Sequence, residues 1–274
     1  MISLKRGRAF QKMKNKLWQI WQYLLYLPRC VHLHGIHSPF VFELHSELFK
    51  EKASYYSFDE IESIRAKLLL TKKELTINDF GAGSIAQKSN NRSVQNITRT
   101  SLKPAKTAQL LFRFVYYFKP EILIELGTCL GITSSYLAKA NPNGHLTSLE
   151  GATELTQVAQ INFTKLNIKN ITQVNGNLDK TFKATLQRLK RVDFIFFDGN
   201  HRKEPTLRYF KEAIPFADDQ SIFVFDDIYW SKEMTQAWKV IKDHPKVTIT
   251  IDCFAMGFVF FKNDQAKEHF TVYH

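Results

Sequence analysis

The sequence predicts an α/β fold in which a mainly parallel, seven-stranded sheet occupies residues 103–274, preceded by a helical extension over residues 1–102. Strand-like and helix-like segments alternate after Pro104, as they do where helices cover both faces of a parallel sheet. Apolar residues make up 44% of the 274 residues, which is enough for a packed core. No apolar run reaches the roughly 18–20 residues that span a bilayer.

The N-terminal extension divides into four segments of different character. Residues 1–27 are basic and amphipathic, and they predict a helix that ends at Pro28 because proline lacks the N–H that a helix interior needs. Residues 28–40 form a histidine-rich connector. Apolar residues recur at helical spacing over 41–70. Residues 79–102 are polar and rich in Gly, Ser and Asn, and they predict a loop or lid.

The second part of the chain contains the strands of the predicted sheet. The last two strands are separated by only four residues, so they predict an antiparallel hairpin at the sheet edge. Helical stretches lie between most of the others, which predicts parallel neighbours. The seven predicted strands are Ile122–Leu126, His145–Glu150, Ile171–Val174, Val192–Phe197, Ser221–Phe225, Val247–Asp252 and Gly257–Phe261.

A glycine turn follows the first of these strands and opens a helix. Gly127 and Gly131 give the backbone the freedom that a tight strand-to-helix turn requires, and they allow a ligand to approach the main chain. The alternative is that the glycines only let the helix pack on the strand. Glu150 ends the next strand, where a carboxylate can accept both hydroxyls of a ribose. A surface glutamate at a strand end is the corresponding alternative.

These residues resemble the motifs of class I S-adenosylmethionine-dependent methyltransferases, and most closely the metal-dependent small-molecule O-methyltransferases of the catechol and caffeoyl-CoA type. The stretch 125–131 resembles their first motif, 150–151 the acidic second motif, and 176–179 the turn that flanks adenine. The resemblance implies a Rossmann-like fold and these cofactor contacts: Glu125, Gly127, Thr128, Gly131, Glu150, Gly151, Asn177, Leu178 and Asp198. A dinucleotide-binding domain would need a different glycine spacing.

A second glycine-rich stretch, Asp79–Gly83, also resembles a methyltransferase first motif. No helix, strand and acid follow it, because residues 84–100 are polar. We therefore interpret it as a loop, with the cofactor turn as the alternative.

Three carboxylates are expected at the same rim of the sheet, because Asp198 ends the fourth strand and Asp226 and Asp227 end the fifth. Clustered carboxylates repel one another unless a cation or proton intervenes, and oxygen ligands suit Mg²⁺ or another divalent cation. The related metal-dependent enzymes place acids at these positions, although catechol-type enzymes have Asn where this chain has Asp227. The alternative is that the aspartates cap the following turns.

His201 follows Asp198 by three residues. Imidazole is a common general base near neutral pH, so His201 and Asp198 are the predicted catalytic residues for deprotonating a hydroxyl. A structural or solvated histidine is the alternative. Trp230 is predicted either to line a substrate pocket or to belong to the core.

The basic arm has several candidate partners. Residues 1–42 contain seven Lys or Arg and no acid, out of a net charge of +12. This arm could bind RNA phosphates, lie on an anionic membrane surface, or pack its apolar face on the domain or on the second subunit of a homodimer. His32, His34 and His37 are candidates for a zinc site or for the substrate entrance.

The sequence thus predicts a cytoplasmic S-adenosylmethionine-dependent methyltransferase that O-methylates a small hydroxylated molecule, with the help of a divalent metal. The cytoplasm is expected because Cys30, Cys129 and Cys253 are far apart and form no metal or disulfide pattern. The alternatives are an RNA-modifying methyltransferase that uses the basic arm and a non-catalytic cofactor-binding protein.

Overall fold

A computed structural model describes residues 2–31, 35–77 and 90–274. The second glycine-rich stretch, His32 and His34 lie outside the described residues. The helices are α1 Ile2–Tyr26, α2 Pro39–Leu44, α3 Tyr56–Leu70, α4 Val94–Ser101, α5 Ala105–Phe118, α6 Ile132–Ala140, α7 Thr153–Lys165, α8 Leu178–Leu189, α9 Lys203–Ala213 and α10 Lys232–Asp243. The strands are β1 Glu74–Ile77, β2 Asn90–Ser93, β3 Ile122–Leu126, β4 His145–Glu150, β5 Ile171–Asn175, β6 Phe194–Phe197, β7 Ile222–Asp226, β8 Ile249–Asp252, β9 Met256–Phe260 and β10 Glu268–Thr271.

The main sheet has the strand order β10-β8-β9-β7-β6-β3-β4-β5. The pairs among β5, β4, β3, β6 and β7 are parallel, whereas β9 is antiparallel to both β7 and β8. The predicted α/β fold with a C-terminal hairpin is therefore confirmed. The strand order reverses between β3 and β6, and ligands of such sheets bind beyond the carboxyl ends of the strands at that point.

Both faces of the central strands are buried, which is why their sequences are almost continuously apolar. Successive side chains point to opposite faces, and they join two separate hydrophobic clusters. One cluster contains Leu123, Phe194, Phe196, Ile222 and Val224, and the other contains Ile124, Leu126, Ile195, Phe197, Phe223 and Phe225. The first cluster also contains side chains of α2, α3 and α5, so the N-terminal extension covers that face of the sheet.

The strand count differs from the prediction, because the main sheet has eight strands and not seven. The additional strand, β10, pairs in parallel with β8 at the sheet edge. Its sequence, Glu-His-Phe-Thr, has only one buried side chain, Phe270. An edge strand of this kind lacks the apolar signal of the central strands, and only its pairing with β8 identifies it.

The segment predicted as a polar loop over 79–102 is partly regular. β2 pairs antiparallel with β1 in a separate two-stranded sheet, and α4 follows it. The residues of β2, Asn-Asn-Arg-Ser, have low strand propensity, so the partner strand determines their conformation. Ser93 caps α4 by accepting a hydrogen bond from the backbone N–H of Asn96 at 3.2 Å. The helical stretch predicted over 41–70 is interrupted at residues 50–55.

The long helix α1 ends where predicted, at a single 3₁₀ turn that contains Pro28. One side of it packs against the C-terminal half of the chain: Trp18 Nε1 donates to Thr235 Oγ1 at 3.2 Å, and the Tyr26 hydroxyl donates to the Val272 carbonyl. The ring of Tyr26 also packs on Phe254. Within the described residues, none of the helices is both long and apolar enough to cross a membrane.

Candidate active site

A cavity of about 530 Å³ opens at the carboxyl ends of β3 to β7. Its wall combines the turns after these strands with the segment that precedes α5. Three of its residues have left-handed backbone conformations without being glycine: Cys129 with φ of 49°, Asn200 with φ of 58° and Asp227 with φ of 53°. Such conformations cost free energy, and they concentrate where a site needs an exact backbone shape.

The glycine turn after β3 is shaped by its neighbours in the sheet. Gly127 has φ of 100°, and a Cβ there would lie 2.7 Å from the Asp198 carbonyl oxygen. Gly131 has φ of 77°, and a Cβ there would lie 2.7 Å from the Phe163 ring. Gly127 lines the cavity, whereas Gly131 lies behind it, where α6 packs on α7. Close contacts within the protein thus require glycine at both positions. Packing is therefore one reason for these glycines, as the alternative interpretation of the sequence holds.

Glu125 is fully buried behind the turn and does not line the cavity. The Ser134 hydroxyl donates to its Oε2, as does the Ser148 hydroxyl at 2.6 Å. Ser148 is also 2.5 Å from the hydroxyl of Thr128, which is buried as well. Burial raises the pKa of Glu125 to about 8, although the two serine hydrogen bonds lower it. Glu125 and Thr128 therefore support the turn from below, and their contact with a cofactor stays a prediction.

Glu150 lies at the end of β4 and lines the cavity together with Gly151. Its carboxylate accepts hydrogen bonds from two backbone N–H groups, Cys129 at 2.8 Å and Ala152 at 2.9 Å. These bonds fix the carboxylate beside the glycine turn. Each carboxylate oxygen has two lone pairs, so an oxygen that accepts an N–H can also accept a ligand hydroxyl.

The turn after β5 completes this side of the cavity. Asn177 and Leu178 both line it. The Asn177 side chain caps α8 by accepting a hydrogen bond from the Asp179 N–H at 2.8 Å. Asp179 in turn accepts hydrogen bonds of 2.5 Å from the Tyr209 hydroxyl and from Arg208. We refer to Gly127–Gly131, Glu150 and Asn177–Leu178 as the glycine-turn side.

The opposite side of the cavity holds a buried ion pair that the sequence analysis missed. Lys103 Nζ lies 3.2 Å from Asp198 Oδ1 and contacts Asp226 Oδ2. The side chains of Lys103 and Asp198 are only 12% and 14% exposed, and that of Asp226 is 1% exposed. His201 Nε2 lies 3.4 Å from the same Asp198 Oδ1. We refer to Lys103, Asp198, His201 and Asp226 as the acidic side.

The charges on the acidic side are set by this contact. Burial alone would lower the pKa of Lys103, but the three nearby aspartates raise it, so the lysine carries its proton. Burial would raise the pKa of Asp198, but Lys103 and His201 lower it, so Asp198 is ionised. Burial together with the charges of Asp227 and Asp198 raises the pKa of Asp226, against the opposing effect of Lys103. One ammonium therefore compensates the buried negative charge.

The predicted metal site does not fit a divalent cation in this structure. Asp198, His201 and Asp226 do have ligand atoms within 4.8 Å of one another, whereas Asp227 is not part of that group. The chain turns at Asp227, whose N–H donates to the Ala255 carbonyl at 2.8 Å. Lys103 Nζ, however, already contacts both buried carboxylates. Two unit charges of the same sign 4 Å apart repel by about 4 kcal/mol at an effective dielectric constant of about 20, and a divalent ion doubles that cost.

Tyr209 and Cys129 are among the other wall residues that were not predicted as site residues. Tyr209 lines the cavity between Asp179 and Asn200, and Cys129 lines it within the glycine turn. Burial raises the pKa of the Cys129 thiol to about 12, so the thiol is neutral. Trp230 lines the cavity while remaining 43% exposed, which favours the pocket interpretation over the core. No sequence motif identifies Lys103 as a site residue, and its position before Pro104 is the one distinctive feature.

The comparisons with known proteins agree with this geometry. Residues 124–228, which run from β3 to the turn after β7, match a family model described as a methyltransferase domain. The resemblance to class I methyltransferases is therefore confirmed. The matched residues include the glycine turn and, on the acidic side, Asp198, His201 and Asp226, whereas Lys103 lies outside them. Comparison with curated proteins gives no significant match.

Solved structures show the same fold. An SAH-bound methyltransferase from Podospora anserina aligns with a TM-score of 0.59 at 11% identity, covering 83% of this chain and 97% of that one. An O-methyltransferase from Bacillus cereus in complex with SAH gives 0.53 at 14%, covering 80% and 95%. The SAM-bound O-methyltransferase TomG from Streptomyces achromogenes, involved in tomaymycin synthesis, gives 0.51 at 17%, covering 59% and 82%. At these identities the similarity establishes the Rossmann-like fold.

Proposed function

We propose that this chain is an S-adenosylmethionine-dependent O-methyltransferase that acts on a small hydroxylated molecule. One observation carries the proposal: a single cavity in a methyltransferase domain joins a nucleoside-compatible wall to a histidine–aspartate pair. The SAM-bound and SAH-bound neighbours, two of them O-methyltransferases by name, support the choice of cofactor and of acceptor atom. The size of the cavity suits a small acceptor.

The glycine-turn side fits the cofactor. Gly127 and Cys129 present backbone to the cavity, Glu150 offers carboxylate oxygens to the ribose hydroxyls, and Asn177 and Leu178 lie beyond it for the adenine. When bound, S-adenosylmethionine supplies a methyl group on a positively charged sulfur. The cofactor site and its residues remain part of the proposal.

The acidic side would act on the acceptor. Asp198 orients the His201 ring through Nε2, and the other ring nitrogen, Nδ1, accepts the proton of the acceptor hydroxyl. The acceptor oxygen then bonds to the methyl carbon, while the carbon–sulfur bond breaks and its electron pair stays on sulfur. The products are the methyl ether, S-adenosylhomocysteine and a protonated imidazole. Alignment and deprotonation are the main contributions that this reaction needs from the protein.

The proposed enzyme is cytoplasmic and contains no divalent cation in its active site. All three cysteines are free thiols, consistent with the predicted cytoplasmic location. The divalent cation predicted from the sequence is left out, because the acidic side does not fit it.

Isothermal titration of S-adenosylmethionine and S-adenosylhomocysteine into the full chain tests the cofactor assignment. We expect both to bind, and Glu150→Ala to weaken binding by about 10–100-fold, because a hydrogen bond to a charged group contributes about 1.5–3 kcal/mol. Glu121→Ala is the matched control, since Glu121 lies exposed at the opposite end of β3 and pairs with Arg191. No binding of either compound would contradict the proposal, and equal loss in the two variants would contradict the role of Glu150.

A methyl-transfer assay against a panel of phenols, catechols and aliphatic alcohols then tests the reaction. Transfer to oxygen that requires His201 is expected. Cofactor binding without transfer to any hydroxyl, but with transfer to an amine or thiol, would contradict the O-methyltransferase assignment.

A further inference from the structure

The ion pair between Lys103 and the two buried aspartates lies where the related enzymes are expected to hold a metal. We propose that Lys103 takes the place of the divalent cation, so that the enzyme holds the acceptor oxygen with an ammonium group and works without metal. This inference rests on the proposed function for its chemistry. Its central claim, that the site rejects a divalent ion, can be tested without any turnover.

The position of Lys103 is well determined by its surroundings. Pro104 follows it immediately and begins the turn into α5, which is anchored in the core by side chains such as Leu110 and Phe114. The lysine side chain is therefore held between the ends of β6 and β7, where Asp198 and Asp226 lie. Both carboxylates contact the same nitrogen.

The arrangement leaves Lys103 able to contact an acceptor. An ammonium group has three N–H donors, and the contacts with Asp198 and Asp226 use two of them. Lys103 also lines the cavity beside His201. A third donor directed at the acceptor oxygen would stabilise the negative charge that develops as His201 removes the proton.

The proposal narrows the class of acceptor. A divalent cation binds six or more oxygens and can hold both hydroxyls of a vicinal diol, whereas one N–H donor holds a single oxygen. Acceptors with one isolated hydroxyl should therefore be methylated as efficiently as catechols of similar size.

Metal binding is the decisive measurement. Titration of Mn²⁺ followed by electron paramagnetic resonance should show no specific site in the full chain. Lys103→Met removes the charge at similar volume and should create a Mn²⁺ site that disappears when Asp198→Asn is added. Lys106→Met, one turn further along and facing a different cavity, is the matched control and should behave as the unaltered chain. Stoichiometric Mn²⁺ binding by the unaltered chain that Asp198→Asn abolishes would overturn the proposal.

Activity gives a second readout. Turnover should persist in excess EDTA, and Lys103→Met should lower kcat by about 10²–10³-fold, as removal of one preorganised donor does, with a smaller change in KM. Lys103→Arg should restore part of the loss because it retains the charge. Loss of turnover in EDTA that Mg²⁺ restores would overturn the proposal. Should no acceptor be methylated at all, the proposed function fails, while the Mn²⁺ titration still decides the role of Lys103.

A different region carries a second, independent inference: the outer side of α1. Its inner side packs on the domain through Trp18, Gln19 and Tyr26. On the outer side large apolar side chains recur at intervals of three and four residues and remain 41–60% exposed. We define this apolar stripe as Met13, Leu17, Ile20, Trp21 and Leu24 of α1 together with Leu27 of the 3₁₀ turn that follows it.

We infer that the apolar stripe docks on an anionic membrane surface. The first 29 residues contain seven Lys or Arg and no acid, and Lys14 and Lys16 are exposed beside the stripe. Apolar side chains with flanking cations are typical of helices that lie in the interface of an anionic bilayer. RNA would pair with the cations but leave the stripe in water, and a second copy would bring like charges together.

Vesicle sedimentation tests this inference on the full chain. Binding is expected to vesicles of phosphatidylcholine mixed with phosphatidylglycerol, and to be much weaker for phosphatidylcholine alone. The double variant Leu17→Glu, Leu24→Glu should lose at least about tenfold in affinity, because two apolar side chains no longer insert. Leu70→Glu is the matched control, since Leu70 is 79% exposed on α3, away from the stripe.

Three results would overturn the membrane assignment. If the double variant bound vesicles as tightly as the unaltered chain, the apolar stripe would not be inserted in the bilayer. A dimer that forms without vesicle binding, and that the double variant abolishes, would assign the stripe to a second copy. Salt-dependent RNA binding without vesicle binding would assign the cations to nucleic acid. Near-ultraviolet circular dichroism of each variant would verify that the domain remains folded.

Discussion

The two sides of the cavity are built in different ways. On the glycine-turn side, backbone groups and their hydrogen bonds determine the shape: the Gly127 N–H donates to the Leu149 carbonyl at 2.8 Å, and the Glu150 carboxylate is held by two backbone N–H groups. On the acidic side, one buried ammonium and two buried carboxylates determine it. The first side depends on chain conformation, and the second depends on charge balance.

This difference implies different responses to substitution. A changed backbone conformation on the glycine-turn side should reduce both folding stability and cofactor affinity. A changed charge on the acidic side should reduce turnover most, because one lost charge alters the balance among all the remaining groups.

Asp198→Asn should have the largest effect. The substitution preserves size but removes the charge that both Lys103 and His201 contact. We expect kcat to fall by about 10²–10⁴-fold, the usual contribution of a general base, with a much smaller change in S-adenosylmethionine affinity. Steady-state kinetics and titration calorimetry measure the two quantities. Asp264→Asn, on an exposed turn, serves as the control.

A large loss of cofactor affinity in Asp198→Asn would contradict the distinction between the two sides. If cofactor affinity fell as much as kcat, Asp198 would belong to the cofactor site, as the family resemblance also implies. The two sides would then not be separable by charge.

Gly127→Ala should have the next largest effect, and it should act through folding. The residue has φ of 100°, and the new Cβ would lie 2.7 Å from the Asp198 carbonyl oxygen. We expect the free energy of unfolding to fall by about 1–3 kcal/mol, together with a loss of cofactor affinity. Chemical denaturation measures the first quantity. Gly35→Ala is the control, because among the described residues its new Cβ would approach nothing closer than 3.9 Å.

Unchanged stability of Gly127→Ala would show that the turn can relax away from β6. The glycine would then serve the ligand and not the packing of the sheet.

The contrast also explains how much of the molecule could be predicted from the sequence. The central strands and the glycine-turn side were predictable because they form from consecutive βαβ units, in which Gly127, Glu150 and Asn177 follow successive strands. The fold class was predictable for the same reason. β2 and β10 were not, because pairing with another strand, and not their own residues, determines them.

The acidic side was predictable only in part. Asp198 and Asp226 were placed together by their positions at neighbouring strand ends. Lys103 precedes the first strand of the sheet by 19 residues, and nothing near it in the sequence relates it to the two aspartates. The aspartates alone therefore predicted a divalent cation as their counter-charge, whereas in the folded chain the Lys103 ammonium provides it.

Glu125 should have the smallest effect on activity, and its contribution is expected in the pH dependence of stability. Burial raises its pKa to about 8, whereas an unfolded glutamate titrates near about 4.3. The native state thus binds the proton more tightly than the unfolded state does. The stabilisation is complete below about pH 4.3 and is lost as the pH rises towards about 8, with a slope of up to about 1.4 kcal/mol per pH unit.

Glu125→Gln isolates this contribution, because glutamine does not titrate and its amide can still bond to Ser134 and Ser148. Denaturation of both proteins between about pH 5 and 8 should show stability falling with pH more steeply in the unaltered chain than in the variant. The difference between the two slopes cancels the contributions of the other titrating groups. Equal slopes would mean that Glu125 is ionised in the native state. Glu125 could then pair with the cofactor's ammonium group, and the glycine-turn side would depend on charge as the acidic side does.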